Sequence, residues 1–155
     1  MYRCLIANRG EIAVRIIRAC RELNIETVAI YAKGDENSLH VSLADQAICI
    51  GEANPLDSYL NIDRIISAAK VTESNVIHPG YGFLSESTNF AKAVEDNHIH
   101  FIGPSKTTME MMGDKITARQ TVKQAGVPVI PGSNDAVQSL SLIHISEPTR
   151  RYAIS

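Results

Sequence analysis

Short apolar runs alternate with longer segments of helical period along most of the chain, and this alternation restricts the fold more than any other feature. The runs are too short to be helices and are bounded by turn-forming residues, so they predict buried strands. They occupy residues 4–7, 27–31, 47–50, 75–78 and 100–102. Strands that alternate with helices predict an α/β fold, in which right-handed crossovers place helices on both faces of a parallel sheet.

The first predicted helix follows Gly10 and has two distinct faces. Apolar side chains at helical spacing predict a core face, and charged side chains predict a solvent face. The expected core face consists of Ile12, Ile16, Cys20 and Leu23, and the expected charged face of Glu11, Arg15, Arg18 and Glu22. Further helices are expected over residues 62–69, from about Ser85, and in two short pieces interrupted at residues 113–114.

Composition excludes several classes of protein. The net charge of -2 over 155 residues gives no electrostatic footprint for nucleic acid. No apolar run approaches the roughly 20 residues of a membrane-spanning helix, and the first residues lack the apolar core of a signal peptide. Cys4, Cys20 and Cys49 lie in apolar stretches without metal-binding spacing, which favours buried free thiols over disulfides or a zinc site. We therefore expect a cytoplasmic protein.

Three turns follow predicted strands, at the edge of the sheet where ligands of such folds gather. They are residues 8–11, 79–86 and 103–106. In the first, Arg9 and Gly10 precede a helix, so a cation and free backbone N–H groups could receive an anion. The alternative is that Gly10 serves only the backbone geometry of the turn. A dinucleotide fingerprint is missing because Gly10 stands alone.

The second turn is denser in chemically useful groups. Residues 78–86 (HPGYGFLSE) combine a proline and two glycines, which allow close approach of the backbone to a ligand, with donors and acceptors on His78, Tyr81 and Glu86. Ser85 is expected to cap the following helix.

Lys115 follows Asp114 where a helix is predicted to begin. A cation in the first turn is unfavourable by about 0.3–1 kcal/mol, which favours contact with an anionic ligand such as a phosphate. A solvated lysine at a frayed helix end remains the alternative, and no Walker A loop is present. His98 and His100 lack further metal ligands nearby, and the methionines at 109, 111 and 112 favour core packing.

The last residues differ from the rest. Residues 140–150 (LSLIHISEPTR) can be back-translated without interruption into a transposon adapter used in DNA sequencing libraries. We expect residues from about Leu140 to Ser155 to be adapter read-through from a truncated gene, and exclude them from the fold. A natural strand-like tail is the alternative.

Taken together, the motifs resemble the N-terminal domain of biotin carboxylases, which has a Rossmann-like (pre-ATP-grasp) fold. The resemblance runs in register from Met1 to about Ser133 and includes residues 6–13 with Arg15, 59–61, 78–86, 101–104 and 112–115. It implies a domain at residues 1–133, followed over 134–155 by the start of a connector and the non-native tail.

The resemblance also implies a reaction. Biotin carboxylases use ATP and bicarbonate to carboxylate biotin on a carrier protein, with Mg²⁺ or Mn²⁺ neutralising the phosphates. By resemblance, Lys115 would contact ATP, Tyr81 and Gly82 would lie beside the biotin and bicarbonate pocket, and Arg18 and Glu22 would lie on a homodimer face. Implied partners are the biotin carboxyl carrier protein and the carboxyltransferase subunits.

The chain departs from the family by lacking the glycine-rich lid and the ATP-grasp half. We therefore expect no catalytic or metal-binding residue within it and no carboxylation by the chain alone. The immediate start before the first strand favours the separate subunit of a bacterial acetyl-CoA carboxylase, which acts in fatty acid synthesis. The alternatives are a free-standing nucleotide- or anion-binding module and a dehydrogenase-type domain with Asp35 on a ribose.

Overall fold

The computed structural model describes residues 2–113 and 115–129, without the side chain of Lys115. The five predicted strands are all present. The predicted helices are also present, and there is one further short helix after the second strand. The strands are β1 (Arg3–Ile6), β2 (Glu26–Ala32), β3 (Gln46–Gly51), β4 (Val76–His78) and β5 (His100–Phe101); the helices are α1 (Gly10–Glu22), α2 (Leu39–Leu43), α3 (Ile62–Val71), α4 (Thr88–Asp96), α5 (Lys106–Gly113) and α6 (Lys115–Gln124).

The strands form one parallel sheet in the order β3-β2-β1-β4-β5. Leu5 in the central strand β1 is paired with Val28 of β2 on one side and with Ile77 of β4 on the other. The chain therefore builds outwards from β1 to β3, crosses back over β1, and builds outwards again through β4 and β5. The strand order reverses between β1 and β4, and this reversal opens a crevice at their carboxyl ends.

Alternate residues of β1 face opposite sides of the sheet, as the period of a strand requires. Leu5 belongs to the larger apolar cluster, with Ile65 of α3 and Phe90 of α4. Cys4 and Ile6 belong to a second cluster that includes Ile17 of α1. Helices therefore cover both faces of the sheet, which confirms the predicted α/β architecture.

The predicted core face of α1 is correct in part, because Cys20 is buried and Ile16 packs half-buried against the second cluster. The buried side chains are Ala13, Val14, Ile17 and Cys20, whereas Leu23 is 69% exposed beyond the end of the helix. Spacings of four and three residues between Ala13, Ile17 and Cys20 turn these smaller side chains towards β1. The predicted charged face is correct, because Glu11, Arg15, Arg18 and Glu22 are all exposed.

Two smaller expectations also need correction. Ser87, not Ser85, caps α4, because its hydroxyl accepts a hydrogen bond from the backbone N–H of Phe90 at 3.2 Å. Cys4 and Cys20 are buried free thiols as expected, but Cys49 is exposed on the edge strand β3. An edge strand has one unpaired side and here retains solvent access that the apolar sequence does not reveal.

The chain divides into two compact units, Met1–Met109 and Glu110–Ser155. In the second unit, α6 is followed by residues 127–129, which form no strand. The expected domain boundary at residue 133 and the expected tail from residue 140 lie outside the described residues. No helix in the described part of the chain is long and apolar enough to cross a membrane.

Asp45 provides a pH-dependent contribution to the stability of the β2–β3 edge. Its Oδ2 accepts hydrogen bonds from the hydroxyl of Thr27 at 2.7 Å and from the backbone N–H of Thr27 at 2.8 Å. The hydroxyl and backbone donors of Thr27 lower the pKa of the Asp45 carboxyl below its usual range. The stabilisation is therefore present above the unfolded-state pKa and is lost as the pH falls through the lowered folded-state pKa.

We predict that Asp45→Ala lowers the free energy of unfolding by about 1 kcal/mol near neutral pH. The difference from the unaltered chain should begin to shrink as the pH falls below about 4, the pKa of an aspartate in the unfolded chain, and vanish below the lower pKa of the folded state. Urea unfolding at a series of pH values measures this difference in the free energy of unfolding. Glu95→Ala, at an exposed acid of α4, is the control. A difference for Asp45→Ala that is constant with pH would contradict the assignment.

Candidate functional site

An open cleft lies where the strand order reverses, between the turn after β1 and the loop after β4. Its volume is about 520 Å³. Four of the predicted site residues, Arg9, Gly10, Tyr81 and Gly82, meet there although about 70 residues separate the two segments. The full lining is Asn8, Arg9, Gly10, Glu11, Ile12, Tyr81, Gly82 and Phe83.

Asn8 joins the two walls of the cleft. It is 2% exposed, and its Nδ2 donates hydrogen bonds to the backbone oxygens of Pro79 and Tyr81, both at 2.9 Å. Its Oδ1 accepts a hydrogen bond from the backbone N–H of Arg9 at 2.9 Å. One buried amide thus satisfies groups on both loops, which fixes the position of the β4–α4 loop relative to the start of α1.

The β4–α4 loop passes so close to Asn8 that only glycine fits at residue 80. A Cβ there would lie 2.6 Å from Asn8 Nδ2, and the φ angle of +70° is itself unfavourable for other residues. The left-handed backbone continues at Gly82 and at Phe83, whose φ is 45°. A phenylalanine in this region is strained, so the surrounding contacts must hold it there.

The contacts that hold Phe83 come from a cluster formed by Arg9, Asp35, Tyr59 and Phe83. The rings of Phe83 and Tyr59 stack with centroids 5.3 Å apart. The guanidinium of Arg9 lies 5.1 Å from the centroid of the Tyr59 ring and 5.6 Å from that of Phe83. Such cation–π contacts contribute about 0.5–1 kcal/mol each at partly exposed sites. These contacts stabilise the strained backbone at Phe83.

Asp35 ties the same cluster to the end of β2. Its Oδ2 accepts a hydrogen bond from the Tyr59 hydroxyl at 2.6 Å and pairs with Arg9 Nη1 at 3.3 Å. The Tyr59 hydroxyl in turn accepts a hydrogen bond from the backbone N–H of Ala32 at 3.0 Å. The Tyr59 hydroxyl, and after it Arg9, lower the pKa of Asp35, whereas burial raises the pKa of Tyr59. Asp35 is therefore an anion engaged within the protein, which disfavours its expected alternative role on a ribose.

The surfaces of the cleft that remain available are mostly backbone. A Cβ at Gly10 or Gly82 would meet no atom within 4 Å, so a ligand can approach the main chain at both positions. The first N–H groups of α1 have no intrahelical acceptor, as at any helix start, and favour an anion. Tyr81 is 79% exposed and offers both a ring face and a hydroxyl. These groups suit a small anion or a planar polar ligand.

Three further predicted site residues, Arg18, Glu22 and Lys115, belong to helices. Arg18 and Glu22 are exposed on α1, and Lys115 begins α6, but its side chain lies outside the described residues. No three His, Cys, Asp or Glu side chains in the described part of the chain are placed to hold a metal ion. Three residues of the site were not identified from the sequence, namely Asn8 as a bridge and Tyr59 and Phe83 as a stacked pair.

Comparison with known proteins identifies the family. The family described as "Biotin carboxylase, N-terminal domain" matches residues 1–109. The chain is 55% identical over 138 residues to biotin carboxylase 1 of Bacillus subtilis, covering 89% of this chain and 31% of that protein. It is 51% identical over 144 residues to the pyruvate carboxylase of the same organism, covering 92% of this chain and 12% of that protein.

A solved relative has the same fold. The biotin carboxylase domain of 2-oxoglutarate carboxylase from Hydrogenobacter thermophilus, a dimer in complex with MgADP, ADP and bicarbonate, superposes with a TM-score of 0.82 at 49% identity. The match covers 90% of this chain and 30% of that one. The chain thus spans about a third of the length of the separate biotin carboxylases it matches. On the match to residues 1–109, this chain belongs to the biotin carboxylase N-terminal domain family.

Proposed function

We propose that this chain is the N-terminal part of an ATP-dependent biotin carboxylase, a ligase that carboxylates biotin on a carrier protein with bicarbonate. The observation that carries the proposal is the cleft at the strand reversal, where Arg9 and Gly10 face Tyr81 and Gly82 across the Asn8 bridge. The Hydrogenobacter relative holds MgADP and bicarbonate, which are ligands of the expected chemistry.

The residues of this chain have three proposed roles. Tyr81 and Gly82 border the pocket for bicarbonate and biotin, since one offers a hydroxyl and the other an unobstructed backbone. Gly10 and the following N–H groups of α1 offer an anion site beside them. Lys115 contacts ATP. Mg²⁺ or Mn²⁺, when bound, neutralises phosphate charge, and its ligands are expected on the remainder of the enzyme.

We also propose the cellular setting. The intact protein is proposed to be the cytoplasmic biotin carboxylase subunit of an acetyl-CoA carboxylase, which acts in fatty acid synthesis; the 55% identity to a separate biotin carboxylase supports the carboxylase itself. Its partners would be the biotin carboxyl carrier protein and the carboxyltransferase subunits. The exposed Arg18 and Glu22 of α1 would contribute to a homodimer face.

Residues from about Leu140 onwards are proposed to be adapter read-through. Long-read sequencing of the gene past codon 139 tests this directly. A downstream glycine-rich lid would support the truncated carboxylase, whereas the same codons uninterrupted in the genome would refute the adapter origin.

A chimera tests the function of residues 1–133. We predict that these residues, replacing the matching segment of the Bacillus biotin carboxylase 1, give an enzyme with biotin-dependent ATP cleavage. The expectation follows from the 55% identity of the two proteins over 138 residues. A soluble, folded chimera without this activity would contradict the proposed function.

In that chimera, Asn8→Ala should lower kcat/KM about tenfold or more. The substitution removes the buried amide that holds both walls of the cleft and leaves the oxygens of Pro79 and Tyr81 without this donor, at a cost of about 1–3 kcal/mol. Asn97→Ala is the matched control, because its amide also donates to a backbone oxygen, that of Ala93 at 2.7 Å, but lies outside the cleft lining. Equal loss of activity in both variants would show that the Asn8 effect is not specific to the cleft.

The 155-residue chain alone should show no biotin-dependent ATP cleavage. In the part of the chain that the structure describes, the cleft is lined by one cation, Arg9, which is already paired with Asp35. We therefore expect other parts of the enzyme to stabilise the transition-state charge. A coupled assay of ADP release with and without biotin measures this activity, with the intact Bacillus enzyme as positive control. Titration with a fluorescent ATP analogue separates the alternatives: tight binding would favour a free-standing nucleotide-binding module, and weak or absent binding the truncated enzyme.

A further inference from the structure

The loop that carries Tyr81 and Gly82 begins at a histidine with its own hydrogen bond into the loop. Nδ1 of His78 accepts a hydrogen bond from the backbone N–H of Gly80 at 3.0 Å. The backbone oxygen of His78 accepts the N–H of Ala7 at 2.8 Å, which extends the β1–β4 pairing to the start of the loop. His78 is therefore held at its backbone by the sheet, and its ring fixes the first turn of the loop.

This hydrogen bond requires one protonation state of the ring. Nδ1 can accept a hydrogen bond only when it carries no hydrogen, so His78 is neutral with its hydrogen on Nε2. Protonation at Nδ1 would place two N–H groups opposite each other. The turn at Gly80 has a φ of +70° and lies against Asn8, so it has little freedom to adjust.

The surroundings of His78 favour the neutral ring. Burial lowers its pKa from the ordinary value. The titratable and charged groups on the neighbouring segments are Arg3 and Cys4 of β1, Arg9 in the turn after β1, His100 of β5, and Tyr81 and Glu86 in the loop itself. The neutral ring stabilises the loop at neutral pH, and this contribution is lost as the pH falls through the lowered pKa.

We propose that His78 is a positioning residue, which through Nδ1 sets the turn at Gly80 and so places Tyr81 and Gly82 in the cleft. Asn8 anchors the loop from β1, and His78 anchors it from within. The effect on the loop is independent of the enzyme's reaction. The effect on catalysis rests on the proposed function.

Substitution by asparagine separates the acceptor from the titrating ring. Asn Oδ1 can take the place of Nδ1 as acceptor but does not bind a proton near neutral pH, whereas alanine removes the acceptor. In the 155-residue chain, ¹⁵N NMR follows the amides of Gly80 and Gly82 and the ring nitrogens of His78. We expect a protected Gly80 amide and an unprotonated Nδ1 at pH 7, and loss of that protection on acidification with the protonation of His78.

His78→Asn should keep the Gly80 amide protected and abolish its acid transition, whereas His78→Ala should speed its exchange about tenfold at pH 7. His98→Asn, at an exposed histidine outside the cleft lining, should change neither. Equal Gly80 exchange in the alanine and asparagine variants would overturn the proposal. If His78→Ala does not fold, persistence of the acid transition in His78→Asn would overturn it as well.

The chimera then reports on catalysis. His78→Ala should lower kcat about tenfold, and His78→Asn should restore it while shifting the acid limb of the pH profile. A Gly80 amide that responds as expected, combined with unchanged activity in both variants, would overturn the catalytic part and leave the loop geometry. An inactive unaltered chimera would instead count against the proposed function alone.

Discussion

The candidate site depends on one buried amide. Asn8 lies directly after the central strand, and its Nδ2 reaches two backbone oxygens in a loop more than 70 residues away in the chain. Loss of these partners would leave a buried amide unsatisfied, and the resulting loss of folding free energy would be about as large as the stabilisation from several surface ion pairs. The two loops therefore cannot separate without leaving polar groups unsatisfied, and the close approach at Gly80 follows from the same contact. Parallel pairing of β1 with β4 brings Asn8 within reach, so the strand order is what makes the bridge available.

Arg9 illustrates how a residue predicted for ligand binding can also have a structural role. Its guanidinium contacts Asp35, Tyr59 and Phe83, which come from the ends of three different segments. These contacts offset part of the strain at Phe83, whose backbone is left-handed. Removing Arg9 would thus alter the loop as well as the charge of the cleft, and a loss of binding in such a variant would not by itself identify a ligand contact.

Much of the fold could be predicted because the spacing of apolar residues within each short segment indicates whether that segment is a strand or a helix. The alternation of strands and helices, and the meeting of the turns after β1 and β4, follow from periodicity and from the rule for parallel sheets. The core face of α1 could not be fixed in this way, because Ala13 is a weak apolar signal and Leu23 a strong one, yet only Ala13 is buried. The Asn8 bridge and the Tyr59–Phe83 stack depend on contacts distant in sequence, and nothing local to these residues distinguishes them from surface or core residues. Both turns could be identified from the sequence, but the hydrogen bonds from Asn8 to the oxygens of Pro79 and Tyr81 could not.

The charges of the cleft limit which ligand groups it can balance. Among the described residues, its lining contains one cation, Arg9, and one acid, Glu11, and Arg9 is already paired. A nucleoside triphosphate carries several negative charges, and a preorganised site must balance them with fixed positive groups or metal ions. Backbone amides at the start of α1 provide partial charges only. Under the proposed function, we therefore expect residues 2–109 to position small groups through backbone and ring contacts, and the remaining segments of the carboxylase to stabilise the phosphate charge.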